Sequence, residues 1–450
     1  MTFEALNISK FLLNALHDIG FSNPTPIQEK AFNVVGSGND VVGIAQTGTG
    51  KTFAYMLPIL QNMKFSMQEN PRVLILVPTR ELVVQVVNEI DKLGKYSSVR
   101  VLGVYGGTNI NTQKQQVAAG QDIIVATPGR LYDLAVSRVL QLKSIKKLVI
   151  DEVDIMLDLG FRYQLLNIFD ILPKQRQNIM FSATMTEDVD ALITDFFKSP
   201  KRVSVASSGT PLENIKQVAY QVPNYYTKVN LLENILQNKE TFNKVLIFVA
   251  FKKIADRLFE NIEEFFPTES CIIHSNKTQN YRLRSIKQFE DGENRILIAT
   301  DIMARGLDIN NISHVINLDT PKYPENYMHR IGRTGRAKKL GQSIVLSTPA
   351  EEENLANIEA LMNMQIEQIP FPENVAISKE LAIEERPVVR ERENPHRRPT
   401  EEYGEAFHEK KDKNKKTNQG GSYQREVAKK YKKRQTRGDK NYNKRNKKKS

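Results

Sequence analysis

Two loops of this 450-residue chain combine glycines with hydroxyl and cationic side chains, and they lie far apart in the sequence. The first consists of Ala45, Gln46, Thr47, Gly48, Thr49, Gly50, Lys51 and Thr52. Its glycines let backbone N–H groups face phosphate oxygens, Lys51 can reach the β- and γ-phosphates, and the Thr52 hydroxyl can bind Mg²⁺. We therefore predict that this loop binds ATP and magnesium. A helix-opening turn that binds no nucleotide is the alternative.

A pair of carboxylates follows the apolar run at residues 148–150. Asp151 can hold Mg²⁺ directly or through water, and Glu152 can orient and deprotonate the water that attacks the γ-phosphate. The alternative is a pair of solvated carboxylates that cap the next helix. The phosphate-binding loop upstream favours the catalytic interpretation, in which Lys51 acts with this pair.

The second loop, residues 329–336, carries arginines at intervals of three with glycines between them. They are Arg330, Arg333 and Arg336. Guanidinium groups suit the charge that develops on a γ-phosphate in the transition state. A basic loop that contacts RNA is the alternative, and the two roles could be shared. Together the two loops indicate a chain that couples ATP binding to domain closure.

Short apolar runs recur along the chain, and each is followed by turn residues and then a helical pattern. They span residues 40–45, 73–77, 101–105, 123–126, 148–150 and 179–181 in the first half, and 245–249, 271–273, 296–299, 315–318 and 343–346 in the second. Such runs separated by helices predict buried strands of parallel sheets. The expected fold is α/β, with two doubly wound domains in tandem.

Changes in composition predict the domain boundaries. We place a first domain at 1–206, a short linker at 207–213, a second domain at 214–370 and a basic, disordered tail at 371–450. Residues 387–450 contain 22 Lys and Arg against 9 Asp and Glu, whereas residues 1–386 contain 42 and 43. Affinity for a polyanion is therefore expected mainly in the tail. A solubilising end or a segment that docks a partner are the alternatives.

Other features of the sequence indicate where in the cell the protein is located. No apolar run is long enough to span a bilayer, and the N-terminus lacks the pattern of a signal peptide. A single cysteine, Cys271, excludes internal disulfides and fits a reducing cytoplasm. We therefore expect a cytoplasmic protein with no membrane partner.

Unusual residues cluster where five predicted strands of the first domain end. These strand ends lead into residues 78–82, 106–107, 127–130, 151–154 and 182–184. In open α/β sheets, ligands bind beyond the carboxyl ends of the strands. Because glycines, hydroxyls and charges recur at all five positions, we expect one extended binding edge.

The order and spacing of these motifs, over about residues 3–350, closely resemble the DEAD-box ATP-dependent RNA helicases. The resemblance implies tandem RecA-like domains in which RNA-stimulated ATP hydrolysis drives local unwinding or remodelling of RNA. Residues 20–28 are similar to the family's adenine-reading motif, which implies that Phe21 stacks on adenine and that Gln28 hydrogen-bonds its edge. Taken by itself, this segment is a helix start with an apolar staple.

The resemblance also implies roles at further positions. It implies RNA contacts at Pro78, Thr79, Arg80, Gly106, Gly107, Thr127, Arg130, Gln279, Arg282 and Thr300, ribose contact at Asp308, γ-phosphate contact at Arg333 and Arg336, and coupling of hydrolysis to unwinding at Asp154, Ser182, Thr184 and His329. The family contacts chiefly phosphates and sugars, so little sequence preference is expected. RNA within ribosomal or RNA-decay assemblies would be a suitable partner.

The sequence departs from the family pattern at a few positions. Ala45 replaces the glycine of the strict phosphate-loop pattern, Val153 replaces the usual alanine of the namesake motif, and Ser275 follows His274 where glycine is usual. None of these changes removes a predicted catalytic group. Two further functions stay open, namely an ATP-gated RNA clamp with incidental turnover and a DNA translocase built on the same core.

Overall fold

The computed structural model describes residues 2–45, 48–205, 214–301, 309, 311–335 and 340–386. Two seven-stranded sheets dominate this part of the chain, and every strand pairs parallel to its neighbours. Helices follow most of the strands, as expected for doubly wound α/β domains. The predicted fold class of two tandem RecA-like domains is thereby confirmed. The linker predicted at 207–213 and residues 387–450 of the predicted tail lie outside the described ranges.

The first domain contains strands β1–β7 and helices α1–α9. The strands are β1 Val41–Ile44, β2 Val73–Leu76, β3 Val101–Val104, β4 Ile123–Ala126, β5 Lys147–Asp151, β6 Gln177–Ser182 and β7 Lys201–Ser204. The helices are α1 Lys10–Ile19, α2 Pro26–Gly36, α3 Lys51–Gln61, α4 Arg80–Leu93, α5 Ile110–Ala118, α6 Pro128–Val136, α7 Val153–Asp158, α8 Arg162–Ile171 and α9 Glu187–Phe196. The strand order is β3-β4-β2-β5-β6-β1-β7.

The second domain repeats this plan with strands β8–β14 and helices α10–α14. The strands are β8 Ile215–Gln221, β9 Val245–Val249, β10 Ser270–Ile273, β11 Ile296–Thr300, β12 His314–Asn317, β13 Gly341–Ser347 and β14 Glu367–Gln368. The described helices are α10 Tyr225–Leu236, α11 Lys252–Phe265, α12 Gln279–Glu290, α13 Pro324–Ile331 and α14 Glu352–Met362. The strand order is β10-β11-β9-β12-β13-β8-β14.

Alternate residues of the central strands pack into two separate cores, one on each face of the sheet. In β2, for example, Val73 and Ile75 face one core of the first domain while Leu74 and Leu76 face the other. The sequence of a strand that is buried on both faces is a continuous apolar run, because both sets of side chains are shielded from water. This burial explains why the runs in the sequence located the central strands.

Three strands were not predicted. The edge strand β7 buries only Val203, and β14 is a two-residue edge strand. In the interior strand β8, Lys216 and Gln217 interrupt the run of apolar residues. The Gln217 side chain is buried and its Oε1 accepts a hydrogen bond of 2.8 Å from the Tyr327 hydroxyl. This hydrogen bond lets a polar side chain lie inside the sheet, although the residue breaks the apolar pattern.

The predicted end of the second domain at residue 370 is corrected by the structure. Residues 371–386, the C-terminal segment, pack against α10 and α11 and bury Val375 and Ala382. The Ser378 backbone N–H donates to Thr227 Oγ1 at 3.0 Å, and Glu384 accepts bonds of 2.7 and 2.9 Å from Arg257. The Pro- and Glu-rich composition suggested disorder, but these contacts offset the entropy of ordering the segment.

Two truncations test this boundary. Deleting residues 371–450 is expected to lower the free energy of unfolding of the second domain by about 4 kcal/mol, because two buried apolar side chains and several hydrogen bonds are lost. Deleting only residues 387–450 should change it by less than about 0.5 kcal/mol. Urea unfolding followed by circular dichroism measures both. Equal midpoints for the two truncations would contradict the new boundary.

Candidate functional site

The predicted phosphate-binding loop lies between β1 and α3, as its sequence predicts. Gly48 and Gly50 have φ angles of 79° and 86°, a region that glycine adopts without strain. The Ala45 N–H donates to the Ser182 carbonyl at 3.0 Å, which holds the start of the loop against β6. Lys51 begins α3, and its buried Nζ has no hydrogen-bond partner within the described part of the chain. A buried ammonium group without a hydrogen-bond partner suits a phosphate.

Thr49 and Thr52 complete the described portion of the loop, with Thr52 in the first turn of α3. Four predicted site residues, Gln46, Thr47, Asp308 and Arg336, lie outside the described ranges. Their predicted contacts with nucleotide therefore stay predictions.

The two predicted catalytic carboxylates are buried at the end of β5. Asp151 Oδ2 accepts a hydrogen bond of 3.0 Å from the Tyr55 hydroxyl, and Oδ1 accepts one of 3.0 Å from the Glu152 N–H. Burial raises the pKa of Asp151 to about 6, against the opposing charge of Lys51. Glu152 adopts a left-handed backbone, and its buried Oε2 has no hydrogen-bond partner among the described residues. An ammonium and a carboxylate both left unpaired fit a site that receives phosphate and Mg²⁺.

Gln28 joins the predicted adenine-reading motif to the predicted phosphate-binding loop. Its Oε1 accepts from the Thr25 N–H at 2.9 Å, and its Nε2 donates to the Gly50 carbonyl at 3.1 Å. A Cβ on residue 50 would come within 2.3 Å of that Nε2, so glycine is required there. The amide has one further N–H with which it could bind adenine. Phe21 is half exposed and packs edge-on against Phe53, with 5.6 Å between ring centroids.

Asp154 gathers the predicted coupling residues around one carboxylate. Its Oδ2 accepts from the Ala183 N–H at 3.1 Å and from the N–H and hydroxyl of Thr184 at 3.0 Å each. From the second domain, His329 Nε2 lies 3.7 Å from the same oxygen, which is ion-pair range but longer than a hydrogen bond. Burial opposes ionisation, but His329 and Thr184 outweigh it and hold the pKa of this carboxyl well below its usual range. Ser182 Oγ donates to the Thr184 carbonyl at 2.6 Å.

The arginines of the second loop have different surroundings. Arg330 is almost fully buried and forms ion pairs with Asp301, at 2.5 and 2.8 Å, and with Asp319, at 3.2 Å. Arg330 therefore stabilises the second domain through these ion pairs. The prediction that grouped it with the arginines that reach the γ-phosphate is wrong for this residue. Arg333 is buried, and its Nε donates to the His329 carbonyl at 3.3 Å.

Predicted RNA residues of the first domain lie at the ends of β2, β3 and β4. Pro78 follows β2, and the Thr79 hydroxyl caps α4 by accepting from the Leu82 N–H at 3.3 Å. The Arg80 guanidinium lies so close to Gly106 and Gly107 that a Cβ on residue 107 would be 1.9 Å from its Nη1. The glycine pair therefore makes room for this arginine.

Arg130 forms hydrogen bonds with neighbouring groups of the first domain. It donates to Gln113 Oε1 at 2.7 Å and to the Thr108 carbonyl at 3.1 Å. These bonds support the loop that follows β3, next to Gly107. Thr127 lies at the start of α6, directly after β4.

The two domains meet at a buried polar contact that the sequence did not predict. Glu81, in the first turn of α4, accepts bonds of 3.1 Å from both Arg282 and Gln279 of α12. Arg282 also donates to Gln279 Oε1. The RNA-binding role predicted for these two α12 residues stays a prediction. The only signal for Glu81 in the sequence was its place within residues 78–82, a segment that the family resemblance links to RNA.

A cavity of about 540 Å³ lies between the domains, and both Asp154 and His329 line it. Thr184 contributes to its wall from the first domain, and Thr300 and Tyr323 contribute from the second. Thr300 ends β11, as its predicted role at a strand end requires.

Comparisons with known proteins agree with this geometry. The DEAD/DEAH box helicase family model matches residues 25–192, and the helicase conserved C-terminal domain model matches residues 227–338. ATP-dependent RNA helicase DeaD of Buchnera aphidicola is 38% identical over 380 residues, which are 84% of this chain and 62% of that protein. The chain thus spans less than two thirds of DeaD. DEAD-box ATP-dependent RNA helicase RhpA of Helicobacter pylori is 37% identical over 82% of this chain and 74% of that protein.

A solved structure matches the arrangement of both sheets. S. cerevisiae Dbp5 bound to RNA and ADP BeF3 has a TM-score of 0.75 and 29% sequence identity, and the match covers 82% of this chain and 95% of that one. The motifs, the fold and the relatives agree on both halves of the chain. The chain belongs to the DEAD-box ATP-dependent RNA helicases.

Proposed function

We propose that this protein is an RNA-dependent ATPase whose two domains close around ATP and RNA and thereby separate short duplexes locally. The observation that carries the proposal is the pair of buried contacts between domains, Glu81 with Arg282 and Asp154 with His329. One contact adjoins predicted RNA residues and the other adjoins the predicted catalytic carboxylates. Closure therefore assembles both sites together.

The strand order supports two neighbouring sites on one edge of the first domain. The strands β5, β6 and β1 are neighbours, and their carboxyl ends carry the catalytic carboxylates, the coupling motif and the phosphate-binding loop. The strands β3, β4 and β2 are also neighbours, and their ends carry the predicted RNA residues. ATP and RNA would thus bind side by side at the sheet edge where ligands are expected.

In the proposed reaction, Lys51 neutralises the β- and γ-phosphates, and Thr52 and Asp151 hold Mg²⁺. When bound, this ion neutralises the charge that develops on the phosphates. Glu152 orients and deprotonates the attacking water. Arg333, with Arg336, would approach the γ-phosphate from the second domain, so hydrolysis requires closure.

We propose that Asp154 communicates between the two sites. It contacts the Ala183–Thr184 backbone on one side and His329 on the other, so a shift of His329 on hydrolysis would change its hydrogen bonds. RNA is held mainly through phosphates and sugars, which suits a largely sequence-independent substrate. Closure bends the bound RNA strand so that its partner strand falls away, and hydrolysis then reopens the domains.

The RNA partner and the cellular compartment are part of the same proposal. RNA of ribosomal or RNA-decay assemblies, in the cytoplasm, would be suitable, and the single cysteine is consistent with a reducing compartment. Among the described residues, no helix is long and apolar enough to cross a membrane.

Steady-state ATP hydrolysis with and without single-stranded RNA tests the activity. We expect strong stimulation by RNA and little by single-stranded DNA. The Glu152→Gln variant should lose at least about 100-fold in rate, because the group that activates water is removed. Hydrolysis that ignores RNA, or that survives in the variant, would contradict the proposal. Long-lived RNA complexes formed with ordinary ATP would favour the clamp, and equal stimulation by DNA would favour the translocase.

Glu81→Gln tests the role of the domain contact. The change leaves Arg282 buried without its carboxylate, which typically costs about 3–5 kcal/mol. Small-angle scattering with RNA and a non-hydrolysable ATP analogue should show compaction of the wild type and much less of the variant. Asp91→Asn, an exposed carboxylate on the same helix, is the matched control and should compact normally. Equal compaction of all three proteins would remove Glu81 from closure.

Deletion of residues 387–450 tests the proposal that the basic tail tethers RNA. Since clustered Lys and Arg release counterions from phosphates, RNA affinity at moderate salt should fall and its salt dependence should become shallower. Filter binding across a salt series measures both quantities. Unchanged affinity at moderate salt would reject the tether.

A further inference from the structure

A buried tyrosine that the proposed mechanism does not use lies beside both predicted magnesium ligands. Tyr55 is fully buried in α3, and its hydroxyl is 3.0 Å from Asp151 Oδ2. Residues three apart share one face of a helix, so Tyr55 lies directly above Thr52. The hydroxyl thus connects α3 to the end of β5.

The packing of the ring fixes this hydroxyl in place. The Tyr55 ring packs against Phe181, with 5.6 Å between ring centroids and 47° between ring planes. Phe181 is the register partner of Asp151 in the adjacent strands β6 and β5. Packing of the tilted ring against this strand position therefore directs the phenol toward the carboxylate. A phenol keeps its proton near neutral pH, so Tyr55 donates and the Asp151 carboxylate accepts.

Both oxygens of the Asp151 carboxylate are consequently restrained. Tyr55 donates to Oδ2, and the Glu152 N–H donates to Oδ1. A carboxylate bonded at both oxygens cannot rotate freely, and its remaining lone pairs have fixed directions. For an ion such as Mg²⁺, which demands near-ideal octahedral geometry, the direction of each oxygen ligand matters.

We infer that Tyr55 is a positioning residue of the magnesium site, whose hydroxyl holds the Asp151 carboxylate in the orientation that receives the ion. This inference rests on the proposed function, because it requires Asp151 to be a magnesium ligand. Partners that orient metal ligands typically change metal affinity by about 10–100-fold when they are removed. The alternative is a core tyrosine whose hydroxyl serves stability alone.

Tyr55→Phe separates these possibilities, because it keeps the ring and removes only the hydroxyl. Binding of a fluorescent ADP analogue is measured in EDTA and across a Mg²⁺ titration, so the readout does not depend on hydrolysis. We expect binding without magnesium to be unchanged and the Mg²⁺ concentration for half-maximal enhancement to rise about tenfold. Tyr225→Phe is the matched control. It removes a buried phenol that bonds Asn261 at 3.2 Å in the second domain, and it should behave as wild type.

A second background tests whether Tyr55 acts through the carboxylate. In an Asp151→Asn protein, adding Tyr55→Phe should change the Mg²⁺ requirement by less than twofold, because the group that it orients is already altered. A rise of threefold or more in the single variant, lost in this background, supports the inference. A smaller rise in the single variant, or an equal rise in both backgrounds, overturns it.

The outcome also distinguishes this inference from the proposed function. If wild-type protein binds the nucleotide equally with and without Mg²⁺, the proposed magnesium site is wrong and the inference falls with it. If wild type requires Mg²⁺ and Tyr55→Phe requires the same concentration, only the role of Tyr55 is rejected. Loss of binding in EDTA by the variant would instead indicate a structural role and would also overturn the inference.

Discussion

Burying a carboxylate away from water costs several kcal/mol unless cations or hydrogen-bond donors meet it, and this cost shapes the site where the two domains join. Glu81 and Asp154 are both buried on the first domain, and each meets a side chain of the second. Neither second-domain residue would lie there if the domains moved apart. The interface therefore has a small number of charged contacts, and they stabilise the protein only when the domains are closed.

The nucleotide site has the opposite character, since its charged groups are buried but incompletely paired. Lys51 Nζ and Glu152 Oε2 have no hydrogen-bond partners within the described ranges, and burial raises the pKa of Asp151. Leaving such groups unsatisfied is costly in a folded protein, and it is retained where a ligand supplies the missing contacts. A triphosphate with its metal ion would supply negative charge to Lys51 and positive charge to the carboxylates. Ligand binding thus supplies partners to the nucleotide site, whereas domain closure both buries and pairs Glu81 and Asp154.

Much of the architecture could be predicted because both faces of each central strand are buried. The same apolar runs allowed Asp151 and Ser182 to be predicted at strand ends, where ligands are expected. Features that depend on contacts between distant segments could not be predicted. Glu81 is an ordinary helix-start carboxylate in the sequence, and Arg330 has the same spacing as Arg333 although it pairs within its own domain. The C-terminal segment likewise has a polar composition, and only its contacts with α10 and α11 reveal that it is folded.

Hydrogen–deuterium exchange of the wild-type protein tests the central claim, that ATP and RNA together join the two domains. Exchange would be compared for free protein, for protein with a non-hydrolysable ATP analogue, with single-stranded RNA, and with both. We expect the first turns of α4 and α12, which carry Glu81 and Arg282, to become protected together and only when both ligands are present. Full protection with either ligand alone, or protection of α4 without α12, would contradict a closure that both ligands are needed to complete.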